Sequence, residues 1–151
     1  MLFRSSMNVS QSRYAKENPH IISKSRSKYR KNKRQNDPCF VMKHSLRRNI
    51  GFYFKKNRYI KKDQTESILG CSFEYFKEYI ESKFEFWMSW DNYGLFNNTE
   101  NFGWDLDHIV PISSASTEEE IKMLNHYTNF QPLCSYINRI IKKDKINHNA
   151  A

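Results

Sequence analysis

Cysteine is scarce in this chain and poorly spaced for pairing. Cys39, Cys71 and Cys134 are the only three, and no two form a CxxC step. That spacing excludes a disulfide framework and a four-cysteine zinc site. An apolar run of the ~18 residues that a membrane span needs is missing as well, so no membrane partner is expected. The chain is therefore expected to work inside a cell under reducing conditions, in cytoplasm or nucleoid, in an organelle, or in a virus-infected cell. The opening MLFRSSMNV is too short and polar for a secretory leader. The same stretch is poor in acids and carries Ser and Arg, a composition similar to an organellar transit segment, and the compartment stays open.

Acidic residues are nearly absent from the first part of the chain. From Met1 to Lys62, eighteen Lys or Arg stand against Glu17 and Asp37, a net of +16; from Asp63 onward seven stand against fourteen, a net of −7, which makes the overall +9. A polycationic arm joined to a mildly acidic body suits a polyanion, because each Lys or Arg near a phosphate releases condensed counterions. Nucleic acid is the expected partner, double-stranded DNA first. The alternative is a merely solvated tail. The arm's densest part, SKSRSKYRKNKRQN, supplies Lys28, Arg30, Lys31, Lys33 and Arg34, and Arg47 and Arg48 follow further on.

What remains is one domain's worth of chain, 151 residues with 38% hydrophobic and 15% aromatic content. It divides into an arm over residues 1–62 and a body over 63–151. No internal repeat is visible, and low complexity is confined to the arm. Residues from Met1 to about Asn36 are expected to be disordered or marginally helical, for want of apolar surface to offset ordering, and Pro19 should break any helix begun before it. FVMKHSLRRNIGFYFKKNRYIKK places Val41, Leu46, Ile50, Phe54 and Tyr59 on an approximate helical stripe among basic residues. Further on, a short helix from about Thr65 should stop at Gly70, and Ser72 should cap a second with Phe73, Phe76, Ile80 and Phe84 inward. An aromatic loop follows, in which Trp87 and Trp90 are expected to pack on the body, stacking on bases being the alternative, and Asp91 and Asn92 form a turn.

WDLDHIVPI alternates Leu106, Ile109 and Ile112 with polar positions and predicts a strand or extended segment ending near Pro111. Ser116 or Thr117 then opens a helix, with Glu119 and Glu120 matching a capping box. NFQPLC is a second extended piece, and SYINRIIKKDKI a final basic helix. Two strands with a helix between them and a helix after them form a compact ββα unit on an otherwise helical chain, an α+β fold.

Hydrolysis of a phosphodiester needs a base to deprotonate water and a cation to stabilise charge on the phosphate and the leaving oxygen. Histidine, with an ordinary pKa of about 6.5, is largely neutral at cellular pH, and Asp and Asn oxygens suit a hard divalent cation. Asp107 and His108 are adjacent on an extended chain, so their side chains leave on opposite faces. Alone, the pair would make an ordinary surface or hydrogen-bonded feature.

The three ordered blocks DHIVP, NFQPLC and NR followed by lysines, spanning Trp104 to Lys145, resemble the HNH endonucleases of the ββα-metal class. The resemblance implies hydrolysis of DNA phosphodiesters with Mg²⁺ or Mn²⁺, leaving 5′-phosphate and 3′-hydroxyl ends. It makes His108 the general base, Asp107 and Asn138 the metal ligands, and Asn129 the residue that ties the loop and holds the base-bearing strand. Arg139, Lys142, Lys143 and Lys145 would meet phosphates. Many members staple this unit with two CxxC pairs, but Ile137 stands where the second cysteine would follow Cys134, so no structural zinc is expected. Ile137, Ile140 and Ile141, with the aromatic helices upstream over Phe73 to Phe84, should replace it by packing. Asp105 is either a supporting carboxylate or solvated, and His126 a helix-end group or a reserve ligand. One site per chain implies nicking by a monomer, or double-strand cleavage by a homodimer. The competing readings are a module that binds nucleic acid without cutting and a basic RNA-associated protein; the latter has no use for the Asp107, His108, Asn129 and Asn138 set.

Overall fold

Proline sets the start of both long helices. In the computed structural model, which describes residues 12–143 and Lys145, residues 12–17 are helical, Asn18 interrupts, and Pro19 opens helix α1 (Pro19–Asn36). Pro38 likewise opens α2 (Pro38–Lys56). A ring with no N–H and a fixed φ is tolerated only in a helix's first turn. α1 buries none of its residues. It belongs to a first compact unit ending at Phe40, and the second begins at Val41.

In the second unit α2 turns an unbroken i, i+4 stripe inward, with Met42, Leu46, Ile50 and Phe54 all buried. Met42 thus takes the place expected of Val41. Tyr59 lies beyond the helix end, its N–H donating to the Phe54 carbonyl at 2.9 Å. Helix α3 (Thr65–Leu69) stops at Gly70, whose φ of 77° is left-handed, and α4 (Phe73–Glu81) starts where the Ser72 side chain accepts from the Tyr75 N–H at 3.1 Å. Met42 and Leu46 join Leu69, Phe73, Phe76, Ile80 and Trp104 in one core; Ile50 and Phe54 join Ile68, Ile112 and Ile121 in another.

Strand β1 (Trp104–His108) pairs antiparallel with β2 (Phe130–Cys134), Trp104 opposite Cys134 and His108 opposite Phe130. Helix α5 (Glu118–Leu124) lies between them in sequence, capped by Thr117 and Glu120 in a reciprocal box. After β2 the chain winds as a π-helix over Ile137–Lys142. The protein is therefore mainly helical, with a small antiparallel hairpin near its C-terminal end, a coarse α+β arrangement. Among the described residues no helix is long and apolar enough to cross a membrane.

Aromatic rings fix where β1 begins. The buried Trp104 ring has Phe84, Trp90 and Tyr93 at centroid distances of 4.9, 5.2 and 4.7 Å, and its indole N–H donates to the Ser89 carbonyl at 2.7 Å. Each such pair adds about 0.5–1.5 kcal/mol beyond the area it buries. Gly103 before it is a close approach: a Cβ there would lie 2.1 Å from the Leu95 carbonyl oxygen. Gly103→Ala should cost about 1–3 kcal/mol in urea unfolding, since backbone must shift to admit the methyl group.

One expectation about packing is corrected. Ile140 and Ile141 are 44% and 54% exposed, so they do not take over a zinc staple's role. Cys134 lies opposite Trp104 in the strand pairing and is buried, as a small apolar side chain should be, and its sulfur accepts the Asn101 N–H at 3.4 Å.

Candidate functional site

Strand pleating separates two sets of side chains on β1. Trp104 and Leu106 meet the aromatic core, and His108 ends that row against Phe130. Asp105 and Asp107 leave on the other face and meet the C-terminal helix. Asp107 and His108 accordingly sit back to back, as adjacent strand residues must.

His108 is held on two sides. Its ring centroid lies 4.3 Å from that of Phe130, which in turn packs edge-on against Phe76 at 5.4 Å. Its Nε2 lies 3.1 Å from Oδ1 of Asn125, the buried residue that ends α5. Burial pushes the imidazole pKa below its usual value and outweighs Asn125 and Asp107, which raise it. The ring is therefore neutral at pH 7.

Asn129 closes the loop behind this histidine. Its Oδ1 accepts from the Val110 N–H at 2.9 Å, and its Nδ2 donates to the carbonyls of Val110 and Leu124 at 3.0 and 2.8 Å. Its own carbonyl takes the Ile109 N–H at 2.8 Å. One side chain thus joins the exit of β1, the end of α5 and the entry to β2.

On the opposite face each carboxylate has a cation. Arg139 grips Asp105 with two hydrogen bonds, Nε to Oδ2 at 2.7 Å and Nη2 to Oδ1 at 2.6 Å, and its guanidinium stacks on Phe96 at 5.0 Å. That fork raises the guanidinium's pKa still further. Asn138 also reaches Asp105, Nδ2 to Oδ2 at 3.4 Å. Asp107 is buried; its Oδ2 accepts from Gln131 Nε2 at 2.9 Å and from the buried Lys142 ammonium, which also donates to the His108 carbonyl.

The expected basic surface is thereby divided. Lys143 and Lys145 are exposed, whereas Lys142 is buried in an ion pair and Arg139 is engaged by Asp105. Arg47 and Arg48 are exposed on α2, Arg47 lying over the Phe73 ring at 5.2 Å. In the first unit Lys28, Arg30, Lys31 and Arg34 are exposed, and Lys33 pairs with Asp37 at 3.2 Å. An open groove of about 1250 Å³ runs along α1, with Arg26, Arg30, Lys31 and Arg34 on its wall at helical spacing. His126 hydrogen-bonds Thr128 at 2.9 Å and stacks on Tyr127, away from Asp107.

Among the described residues no group of three or more His, Cys, Asp or Glu is gathered to hold a metal ion. Magnesium usually takes only one or two protein carboxylates and keeps its waters. Asp107 and the Asn138 amide are oxygen donors of that kind. The Asp107 carboxylate is taken up by the Lys142 ammonium and Gln131, and Asn138 turns its amide to Asp105. A divalent ion at Asp107 would have to displace the ammonium.

Three partners escaped the sequence reading: Asn125, Gln131 and the inward course of Lys142. Gln131 was accessible in principle, since it lies opposite Asp107 once the two strands are paired in register. Asn125 gave no signal, because a polar residue at a helix end ordinarily caps it.

Two proteins of Acanthamoeba polyphaga mimivirus are similar to this chain. "Uncharacterized protein L426" is 37% identical over 118 residues, 77% of this chain and 48% of its own length. "Uncharacterized protein L246" is 28% identical over 123 residues, 80% of this chain and 50% of its own length. The chain thus spans about half the length of the curated relatives it matches. No family model matches it, and no solved structure does.

Proposed function

We propose that this chain is an HNH-type endonuclease, its hairpin and C-terminal helix a ββα-metal unit that hydrolyses DNA phosphodiesters. The observation that carries the reading is His108: a neutral imidazole, held by Phe130 and Asn125, on the strand that also bears Asp107. A base whose proton affinity is lowered is unprotonated at working pH, as general-base catalysis requires. The bonding of Asn129 supports the same reading, because it ties the base-bearing strand to the loop after it. In the reaction water loses a proton to His108 and its oxygen attacks phosphorus. The bond to the 3′ oxygen breaks, and solvent protonates that oxygen, which leaves 5′-phosphate and 3′-hydroxyl ends. Mg²⁺ or Mn²⁺, held by Asp107 and Asn138, would supply charge stabilisation at the phosphate.

Supercoiled plasmid incubated with the protein in Mg²⁺, Mn²⁺ or EDTA tests this. Metal-dependent nicking or linearisation, abolished by His108→Ala and Asn138→Ala, is the expected result. Retarded but uncut plasmid in every lane would replace it with the binding module. One observation favours that second reading: the Asp107 carboxylate is already neutralised by Lys142.

The exposed cations of α1 are the proposed phosphate contacts of either reading. Changing Arg26, Arg30, Lys31 and Arg34 together to Gln should flatten the plot of log binding constant against log salt by about 3–4, at ~0.9 per lost contact. An unchanged slope would remove α1 from the interface.

A further inference from the structure

We propose that Asn125 is a positioning residue that fixes His108 as the Nε2–H tautomer and leaves Nδ1 as the ring's basic atom. Its catalytic meaning rests on the nuclease reading; the tautomer itself does not.

The argument starts from the Asn125 amide, which is 1% exposed. Its Nδ2 donates to the Ile121 carbonyl at 2.8 Å, one turn back in α5. Rotating the amide by half a turn would set its oxygen against that carbonyl oxygen, two acceptors with no proton between them. The amide is therefore held one way, and the atom 3.1 Å from His108 Nε2 is the oxygen Oδ1. Oδ1 only accepts, so Nε2 must carry the hydrogen. At about pH 8, above the ordinary histidine range, an imidazole has one hydrogen, so Nδ1 holds a lone pair. Phe130 packs against the ring, and a half-turn of the imidazole would exchange the Nε2 bond to Asn125 for a carbon. Asn125 thus does two things with one amide: it closes the end of α5 and chooses which ring nitrogen can take a proton from water.

The test is nitrogen-15 NMR of this 151-residue chain without metal at about pH 8, above the ordinary histidine range. His108 is assigned by the signals lost in His108→Gln. The expected pattern is a protonated, pyrrole-type Nε2 and a pyridine-type Nδ1, with the Nε2 hydrogen exchanging slowly with water. A protonated Nδ1 in the unmodified protein would overturn the assignment, and this result needs no variant that might misfold. Asn125→Asp gives up the bond to the Ile121 carbonyl, at a cost in stability, but keeps an acceptor toward Nε2 and should retain the pattern. Asn125→Leu should draw the two nitrogen shifts together as the tautomers average; unmoved shifts would show that Asn125 does not set them. In plasmid nicking, Asn125→Leu should lower the single-turnover rate by about 10²-fold with DNA affinity unchanged, and Asn125→Asp should recover most of it. A protein that shows the Nε2–H pattern but cuts no DNA loses the nuclease reading and keeps the tautomer. One that cuts DNA with Nδ1 protonated does the reverse.

Discussion

Replacing Lys142 with alanine is expected to cost the fold about 3–5 kcal/mol, measured by urea unfolding. The reason is the charge left behind. Lys142 and Asp107 are both buried, and the ammonium holds the Asp107 carboxylate and the His108 carbonyl together. Without it, an ionised carboxylate would remain out of water with Gln131 as its one side-chain donor among the described residues. Asp107→Ala should be destabilising for the mirror-image reason. The double change Asp107→Leu with Lys142→Met should recover most of the loss, because a buried ion pair exchanged for apolar side chains of similar volume is often neutral or better. An exposed lysine would behave differently, with Lys142→Ala changing stability by no more than ~0.5 kcal/mol. That outcome would return Lys142 to the phosphate-facing set beside Lys143 and Lys145.

His108→Ala carries the largest expected effect on activity: a fall in nicking rate of about 10²–10⁴-fold, the usual contribution of a positioned general base, with plasmid retention in gels unaltered. The pH dependence follows from burial. With the folded-state pKa of His108 held below the ordinary 6.5, the rate should be level from neutrality upward. It should then drop about tenfold per pH unit below that lowered pKa, because protonated imidazole accepts nothing. The same shift acts on stability. The unfolded chain takes up its proton near 6.5 and the folded chain only at lower pH, so acid favours the unfolded state. His108 therefore costs the fold nothing above that range, and the cost grows as pH falls from about 6.5 through the folded value. A rate that stays flat through the pH at which the folded chain takes up the His108 proton, read from its NMR titration, would remove His108 from the base's role.

Much of the scaffold was legible because its determinants are local. An apolar residue every third or fourth position marks a buried helix face, and Leu46, Ile50 and Phe54 obeyed that spacing. Thr117 with Glu120, Ser72, Gly70 and Pro19 act through bonds and dihedrals within four residues of themselves, so the helix ends were readable without any tertiary knowledge. Strand pairing followed from two short extended pieces flanking one helix. Alternation along any extended chain also puts Asp107 and His108 on opposite faces.

What the chain's order alone determined, then, is a basic arm, the helix ends marked by caps, glycine or proline, the hairpin, and the presence of an Asp, a His and two Asn in three ordered blocks; Phe84 and Tyr59, expected on helical stripes, lie beyond the ends of theirs. Tertiary structure alone decided which groups touch. Lys142 reaches Asp107 across 35 positions and Asn125 reaches His108 across 17, contacts set by how a π-wound helix and α5 pack on the hairpin. A lysine is expected in water because burying its charge is costly. Only the nearness of a buried carboxylate, a property of the assembled fold, reverses that balance and turns Lys142 inward.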